Sequence, residues 1–332
     1  MRKKPIILVA LPLAAFFISL FLGRYPIPPW TVIRVLIAQV LPVESNWPDA
    51  VETVIFQIRM PRALLAMFVG ASLAISGASF QGMFQNPLVS PHILGVCSGA
   101  GFGAALAILL SGNAMMIQAF AFAFGILAVA LTYVISRVYR TAQTLMLVLS
   151  GVVVGAFFSA LISATKYVAD PYEKLPAITF WLMGSLSAAS VKDLMIAIPP
   201  MALGITGLLL VRWRINILSM GDEEARSLGV NTELLKGIVI ICTTVISASA
   251  VCVSGIIGWV GLIIPHVGRM MVGPDHRALL PASLALGATY LVLVDNIART
   301  ATSAEIPLGI LTAIIGAPFF AYLLRRTKGR WT

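Results

Sequence analysis

Apolar stretches long enough to cross about 30 Å of hydrocarbon recur along this chain and leave it few ways to fold. They occupy residues 6–23, 63–80, 93–111, 115–136, 145–165, 194–211, 237–253, 255–264 with some continuation, 279–294 and 307–324. A further apolar piece, 175–190, is too short and too interrupted to cross alone. Composition agrees: 59% of the 332 residues are hydrophobic and 11% are charged, where a soluble domain carries roughly a quarter charged residues. The expectation is an all-α polytopic membrane protein, one transmembrane domain over residues 1–332 with about ten helices.

The start, Met1-Arg-Lys-Lys before an apolar run, has the outline of a signal peptide. No small-x-small cleavage site follows it; Leu22-Gly23-Arg24-Tyr25-Pro26 stands there instead, so a retained first helix is expected. Orientation follows from the excess of Lys and Arg on the cytoplasmic side. With the N-terminus inside, that side holds Arg2, Lys3, Lys4, Arg137, Arg140, Arg212, Arg214, Arg226, Lys236, Arg269, Arg277, Arg325, Arg326, Lys328 and Arg330, fifteen of the 23 cations. The other eight are Arg24, Arg34, Arg59, Arg62, Lys166, Lys174, Lys192 and Arg299. Both termini are therefore expected to be cytoplasmic, in a cell or inner membrane. The net charge of +10 is accounted for by this rule and by anionic lipid, without nucleic acid. Arg59, Arg62 and Arg299 fall on the outer face, and an outward cationic cluster asks for an acidic partner.

The spans are almost free of ionisable residues, whereas a proton- or ion-coupled transporter buries carboxylates or histidines at membrane depth. An intramembrane enzyme acting on lipid would need a similar cluster. Neither a G-x-x-x-x-G-K-[ST] loop nor a dinucleotide fingerprint is present. Any transport must then be powered by a partner. Cys97, Cys242 and Cys252 lie in apolar context without metal-ligand spacing, and His92 and His266 lack ligand neighbours, so no metal is assigned.

The longest cytoplasmic loop, 219–237, carries Asp222 as a candidate N-cap, Glu223 and Glu224 in a first turn and Gly229 as a stop. Ala225 and Leu228 are expected on one side of this short surface helix. An ordinary solvated connector and a coupling helix seated in a cytoplasmic ATPase both fit it. In Gly261-Leu-Ile-Ile-Pro265-His266-Val-Gly268-Arg269, Pro265 is expected to end a helix and place His266 and Arg269 at the interface. The recurrent glycines, among them Gly70, Gly77, Gly99, Gly103 and Gly261, are expected to let helices pack closely in lipid.

Taken together, R-M-P-R-A-L-L-A, G-A-S-L-A-I-S-G-A, Q-N-P-L-V-S-P-H-I-L-G-V, F-W-L-M-G-S, G-x-x-x-A-x-x-L-G, G-L-I-I-P-H-x-x-R, D-H-R-x-L-L-P and I-P-L-G-I-L-T-A-I-I-G-A-P-F-F resemble the FecCD-type permeases. These are membrane subunits of ABC importers for iron–siderophore, haem and cobalamin, and the resemblance runs from about residue 20 to the C-terminus. It implies ten helices and a second copy of the chain around a central pathway. It also implies two cytoplasmic ATPase subunits that hold ATP and magnesium, and an extracytoplasmic substrate-binding protein. The chain itself is then expected to carry no cofactor and no catalysis.

The resemblance further implies that Arg59, Arg62 and Arg299 dock the binding protein. Asp222, Glu223, Ala225, Arg226, Leu228 and Gly229 would meet the ATPase, and Asn86, Pro87, Leu88 and Thr144 would form cytoplasmic gates. Gln143 and Leu145 depart from the small polar residues of the cobalamin members. The fifth span, with Gly151, Gly155, Ser159 and Ser163, would line a path of small neutral residues that cannot hold a bulky chelate tightly. Molybdate-type oxyanion import on the same scaffold is the alternative.

Overall fold

The computed structural model describes residues 3–42, 44, 46–137 and 144–326. Arg2, Arg140, Lys328 and Arg330 of the cytoplasmic set, and Gln143, lie outside them. Among the described residues the chain is helical throughout, with no strand. The order is α1 (Lys3–Phe21), α2 (Pro29–Ala38), α3 (Asp49–Thr53), α4 (Met60–Met83), α5 (Val96–Leu110), α6 (Ala114–Ser136) and α7 (Thr144–Val168). There follow α8 (Lys174–Leu182), α9 (Val191–Leu218), α10 (Asp222–Ser227), α11 (Thr232–Ser254), α12 (Val260–Val272), α13 (His276–Thr300) and α14 (Leu308–Arg326).

Among the described residues six helical stretches are long and apolar enough to cross a membrane: Asp49–Met83, Ala114–Ser136, Thr144–Val168, Val191–Leu218, Thr232–Ser254 and His276–Thr300. Shorter apolar helices are Ile7–Phe21, Pro29–Ala38, Val96–Leu110, Val260–Val272 and Leu308–Leu323. The starts of these helices are written in side chains. Asn113, Asn231 and Asp275 each accept a backbone N–H of the first turn, and Ser190 with Asp193 closes a capping box.

α4 is the axis of the molecule, buried on nearly every side. It can be so enclosed because its contact positions lack side chains. A Cβ on Gly70 would lie 2.2 Å from the Gly287 carbonyl oxygen of α13, and one on Gly287 would lie 2.3 Å from that of Gly70. A Cβ on Gly77 would come within 1.8 Å of the Gly261 oxygen on α12. In lipid, where apolar surface gains nothing by leaving the solvent, such backbone approach supplies the packing that holds helices together. The same device sets α5 on α6, where Gly99 and Gly103 face the carbonyls of Phe124 and Phe120.

Three expectations need correction. The span placed at 255–264 is broken: α11 stops at Ser254, Gly255 turns with φ +65°, and α12 starts only at Val260. Pro265 does not end a helix, because α12 runs on to Val272. The carbonyl of Gly261, four residues earlier and so deprived of its helical donor by the proline ring, has the Gln81 side-chain amide at 3.4 Å. Finally, α4 does not begin at its apolar run. It continues backwards through a π-helical stretch, Val54–Arg59, into α3. The widened turn accommodates Pro61, which cannot donate to residue 57.

Candidate functional site

The helix ends sort into two groups. At one end meet the end of α1, the starts of α4 and α9, and the ends of α11 and α13; at the other meet the ends of α4, α6, α9 and α12 and the starts of α11 and α13, with α10 beside them. The first group holds the three arginines of the minority side. The second holds Arg137, Arg226, Lys236 and Arg269 of the majority side.

The three arginines expected to dock a binding protein do come together, and each is bonded within the chain. Arg62 forms paired hydrogen bonds with both carboxylates that reach it: its Nε and Nη2 lie 2.9–3.0 Å from Asp295, and its Nη1 and Nη2 lie 2.9 Å from the two oxygens of Glu305. Arg299 donates to the Ser19 carbonyl at 2.7 Å and to Ser19 Oγ and Asn296 Oδ1 at 2.6 Å, and its Nε stands 3.8 Å from Asp295 one turn back. Arg59 donates to the carbonyl of Leu20 at 2.7 Å, at the open C-terminal end of α1, and to that of Tyr25 at 2.5 Å in the loop beyond it. Arg59, Arg62 and Arg299 are only 2%, 6% and 5% exposed. Every cation the resemblance assigned to docking is thus committed inside the chain, where it ties α1, α4 and α13 together. Arg24 and Lys192 are the exposed cations of this end.

At the other end α10 forms the short surface helix expected, with two corrections. Its N-cap is Gly221, not Asp222. Ala225 and Leu228 also part company: Ala225 is fully buried beneath the helix, whereas Leu228 is 61% exposed. Ala225 therefore anchors α10 to its own chain, leaving Glu223, Arg226 and Leu228 exposed. Gly229 ends the helix with φ +78°; its N–H and that of Val230 close on the carbonyls of Arg226 and Ala225, the double bond of a Schellman stop.

Two further side chains hold α10. Lys236 on α11, only 5% exposed, donates to Asp222 at the head of α10, and its Nζ also lies 3.4 Å from Thr144 Oγ1 at the head of α7. Arg226 Nε donates to Thr232 Oγ1 at 3.2 Å. The segment Asn86–Leu88, expected as part of a gate, is a surface turn after α4. There Asn86 Oδ1 accepts the Leu88 N–H at 2.9 Å, and Leu88 is half exposed.

Of the proposed pathway residues, Ser159 and Ser163 lie on an open face of α7. Gly151 does not: it is buried, and a Cβ there would lie 2.1 Å from the Ile93 carbonyl. Gly155 is partly covered beside Ser98. These glycines seat α7 on the Pro91–Leu94 turn and on α5. The open face is a continuous stripe including Leu145, Leu149, Val153, Phe157 and Tyr167.

Sequence reasoning missed Gln81 and Lys236 as organisers. Gln81 accepts from Arg269 and has its amide 3.2–3.4 Å from the carbonyls of Val89, Gly261 and Leu262. A lone amide inside an apolar run was the available signal, since such a group needs partners in lipid.

The family model described as the FecCD transport family matches residues 10–326. The molybdate import system permease protein MolB of Haemophilus influenzae is 44% identical over 311 residues, covering 94% of this chain and 92% of that protein. A protein of Helicobacter pylori named as a probable iron chelatin transport system permease is 46% identical over 281 residues, 85% of each chain. A solved structure described as an inward-facing conformation of an ABC transporter of metal-chelate type superposes with TM-score 0.87 at 42% identity, covering 98% of this chain and all of that one.

Proposed function

Because the chain belongs to the FecCD transport family and is an ABC transporter permease, we propose that it is the membrane subunit of a binding-protein-dependent importer of a metal chelate. It takes cargo from an extracytoplasmic binding protein and works with two cytoplasmic ATPase subunits, which hold the ATP and magnesium. The observation that carries this reading is α10: a short helix anchored from below by Ala225 and Lys236, with Glu223, Arg226 and Leu228 left outward at the cation-rich end. The six long spans and four of the shorter apolar helices, α1, α5, α12 and α14, give ten crossings. Both termini then lie on the α10 side, in the cytoplasm.

A second copy completes the pathway. Among the long helices, α7 is one of the most open to its surroundings, and the stripe bearing Ser159 and Ser163 faces its equivalent across the path. Asn86, Pro87, Leu88 and Thr144 form the gates at the α10 end. The outer face receives the binding protein above the buried arginine cluster. Molybdate is the second reading for the cargo, favoured by the relative that covers 94% of this chain.

Replacing Leu228 with glutamate tests the α10 assignment. The ATPase subunit should no longer co-purify with the permease, while the permease still inserts and melts as before; undiminished co-purification would sink the assignment. Uptake of a radioiron chelate against radiolabelled molybdate, in cells with and without the chain, separates the two cargoes.

A further inference from the structure

We propose that Lys236 is the positioning residue that carries movement of α10 to the head of α7. The inference rests on α10 being the ATPase contact. Lys236 sits in the second turn of α11, buried, with its ammonium between two groups from different elements. One is the carboxylate of Asp222, first residue of α10; the other is the hydroxyl of Thr144, first residue of α7. An ammonium has three protons to donate, so one Nζ serves both partners. No other side-chain hydrogen bond among the described residues ties the head of α7 to the α10 side of the molecule.

The surroundings favour transmission over simple anchoring. Arg226 is bonded to Thr232 in the first turn of α11, so α10 is gripped at both its ends by the first two turns of one helix. Glu233 of that first turn also takes Arg137, at the end of α6, at 3.3 Å. The residues on either side of 138–143 are thus both held by α11. α7 has a largely open face, which leaves the helix room to follow. A displacement imposed on α10 pulls on Asp222, and the shared ammonium passes it to Thr144. The Asp222 carboxylate is the stronger partner because that bond is charge-assisted.

The test uses the intact complex with its ATPase in lipid nanodiscs. Cys97, Cys242 and Cys252 are replaced by alanine, and Leu145→Cys, next to Thr144 and 63% exposed, serves as a reporter. The measured quantity is the rate at which a water-soluble maleimide modifies that reporter, with and without ATP and magnesium. With Lys236 in place, nucleotide should change the rate. Lys236→Met keeps the stem and removes both bonds, and should reduce the nucleotide-dependent change about tenfold, the effect of one lost charge-assisted hydrogen bond, with the ATPase still bound and still hydrolysing ATP.

Lys236→Arg should restore most of the response, as should the exchanged pair Asp222→Lys with Lys236→Asp. An unaltered nucleotide response in Lys236→Met overturns the proposal. So does loss of the ATPase in that variant, which would make Lys236 a docking residue. An unmutated chain that retains no ATPase overturns the α10 assignment and this proposal together, an outcome separate from the other two.

Discussion

Arg62 shows how much one side chain can settle at the outer end. Its guanidinium forms paired bonds with two carboxylates, and Asp295 is almost wholly enclosed. Removing one partner of a buried ion pair leaves the other charged and unpaired, at a cost of about 3–5 kcal/mol. Arg62→Ala should therefore lower the melting temperature in detergent sharply, whereas Lys192→Ala, on an exposed cation, should change stability by less than about 0.5 kcal/mol.

Asp275 behaves differently because it is exposed. Hydrogen bonds from the Asn216 amide at 2.6 Å and the Arg277 N–H at 2.8 Å hold its carboxyl below the usual carboxylate range. A lowered folded value means that its stabilisation is complete above the unfolded value of about 3.9 and is lost as pH falls through the folded one. Asp275→Ala should cost roughly 1 kcal/mol at neutral pH through the lost cap of α13. The gap between variant and parent should close in melts recorded progressively below pH 4.

Among whole elements, the contact of α4 with α12 is governed by backbone alone. A methyl group on Gly77 has no flexible neighbour to displace, since the atom it meets at 1.8 Å is a carbonyl oxygen. Gly77→Ala must push the helices apart and should cost more than the roughly 1–3 kcal/mol typical of an overpacked core. Gly237, in α11, is the contrast: nothing lies within 4 Å of its Cβ position. Gly237→Ala should raise the melting temperature slightly, by the helix propensity of about 0.5–1 kcal/mol. Comparing the two variants by thermal melting separates glycine used for contact from glycine that is merely present.

The helical pattern and its approximate spans were legible because each crossing must be apolar along most of its length. So was the stop at Gly229, a local backbone matter. The continuation of α12 past Pro265 was not, because a proline reads locally as a terminator and the compensating donor, Gln81, lies far back in the chain. The arginines could be read as a cluster, yet their burial could not: the acceptors come from Ser19, Leu20, Asp295 and Glu305, brought in by α1, by the end of α13 and by the loop that follows it. Charge counting gives the side of a membrane and says nothing of exposure. The split between Ala225 and Leu228 likewise depends on what lies beneath α10.

At the scale of the molecule, α6, α7 and α9 are the long helices that stay most open among the described residues, and the proposed path assigns the open face of α7 to a second copy. If its open face borders an aqueous path between two copies, Ser159→Cys should react quickly with a membrane-impermeant maleimide. Leu210→Cys, 74% exposed on α9, should stay unreactive if it faces lipid. Equal protection of both cysteines would remove α7 from the path.

The reciprocal approach of Gly70 and Gly287 also bears on how this sequence can vary. Each position is forbidden a side chain by the other's backbone oxygen, and a backbone oxygen is present whatever residue stands there. No second change at either site can make room for a first. In a library randomised at both positions, functional clones should return only the original pair, where an ordinary side-chain contact would return many compensating combinations.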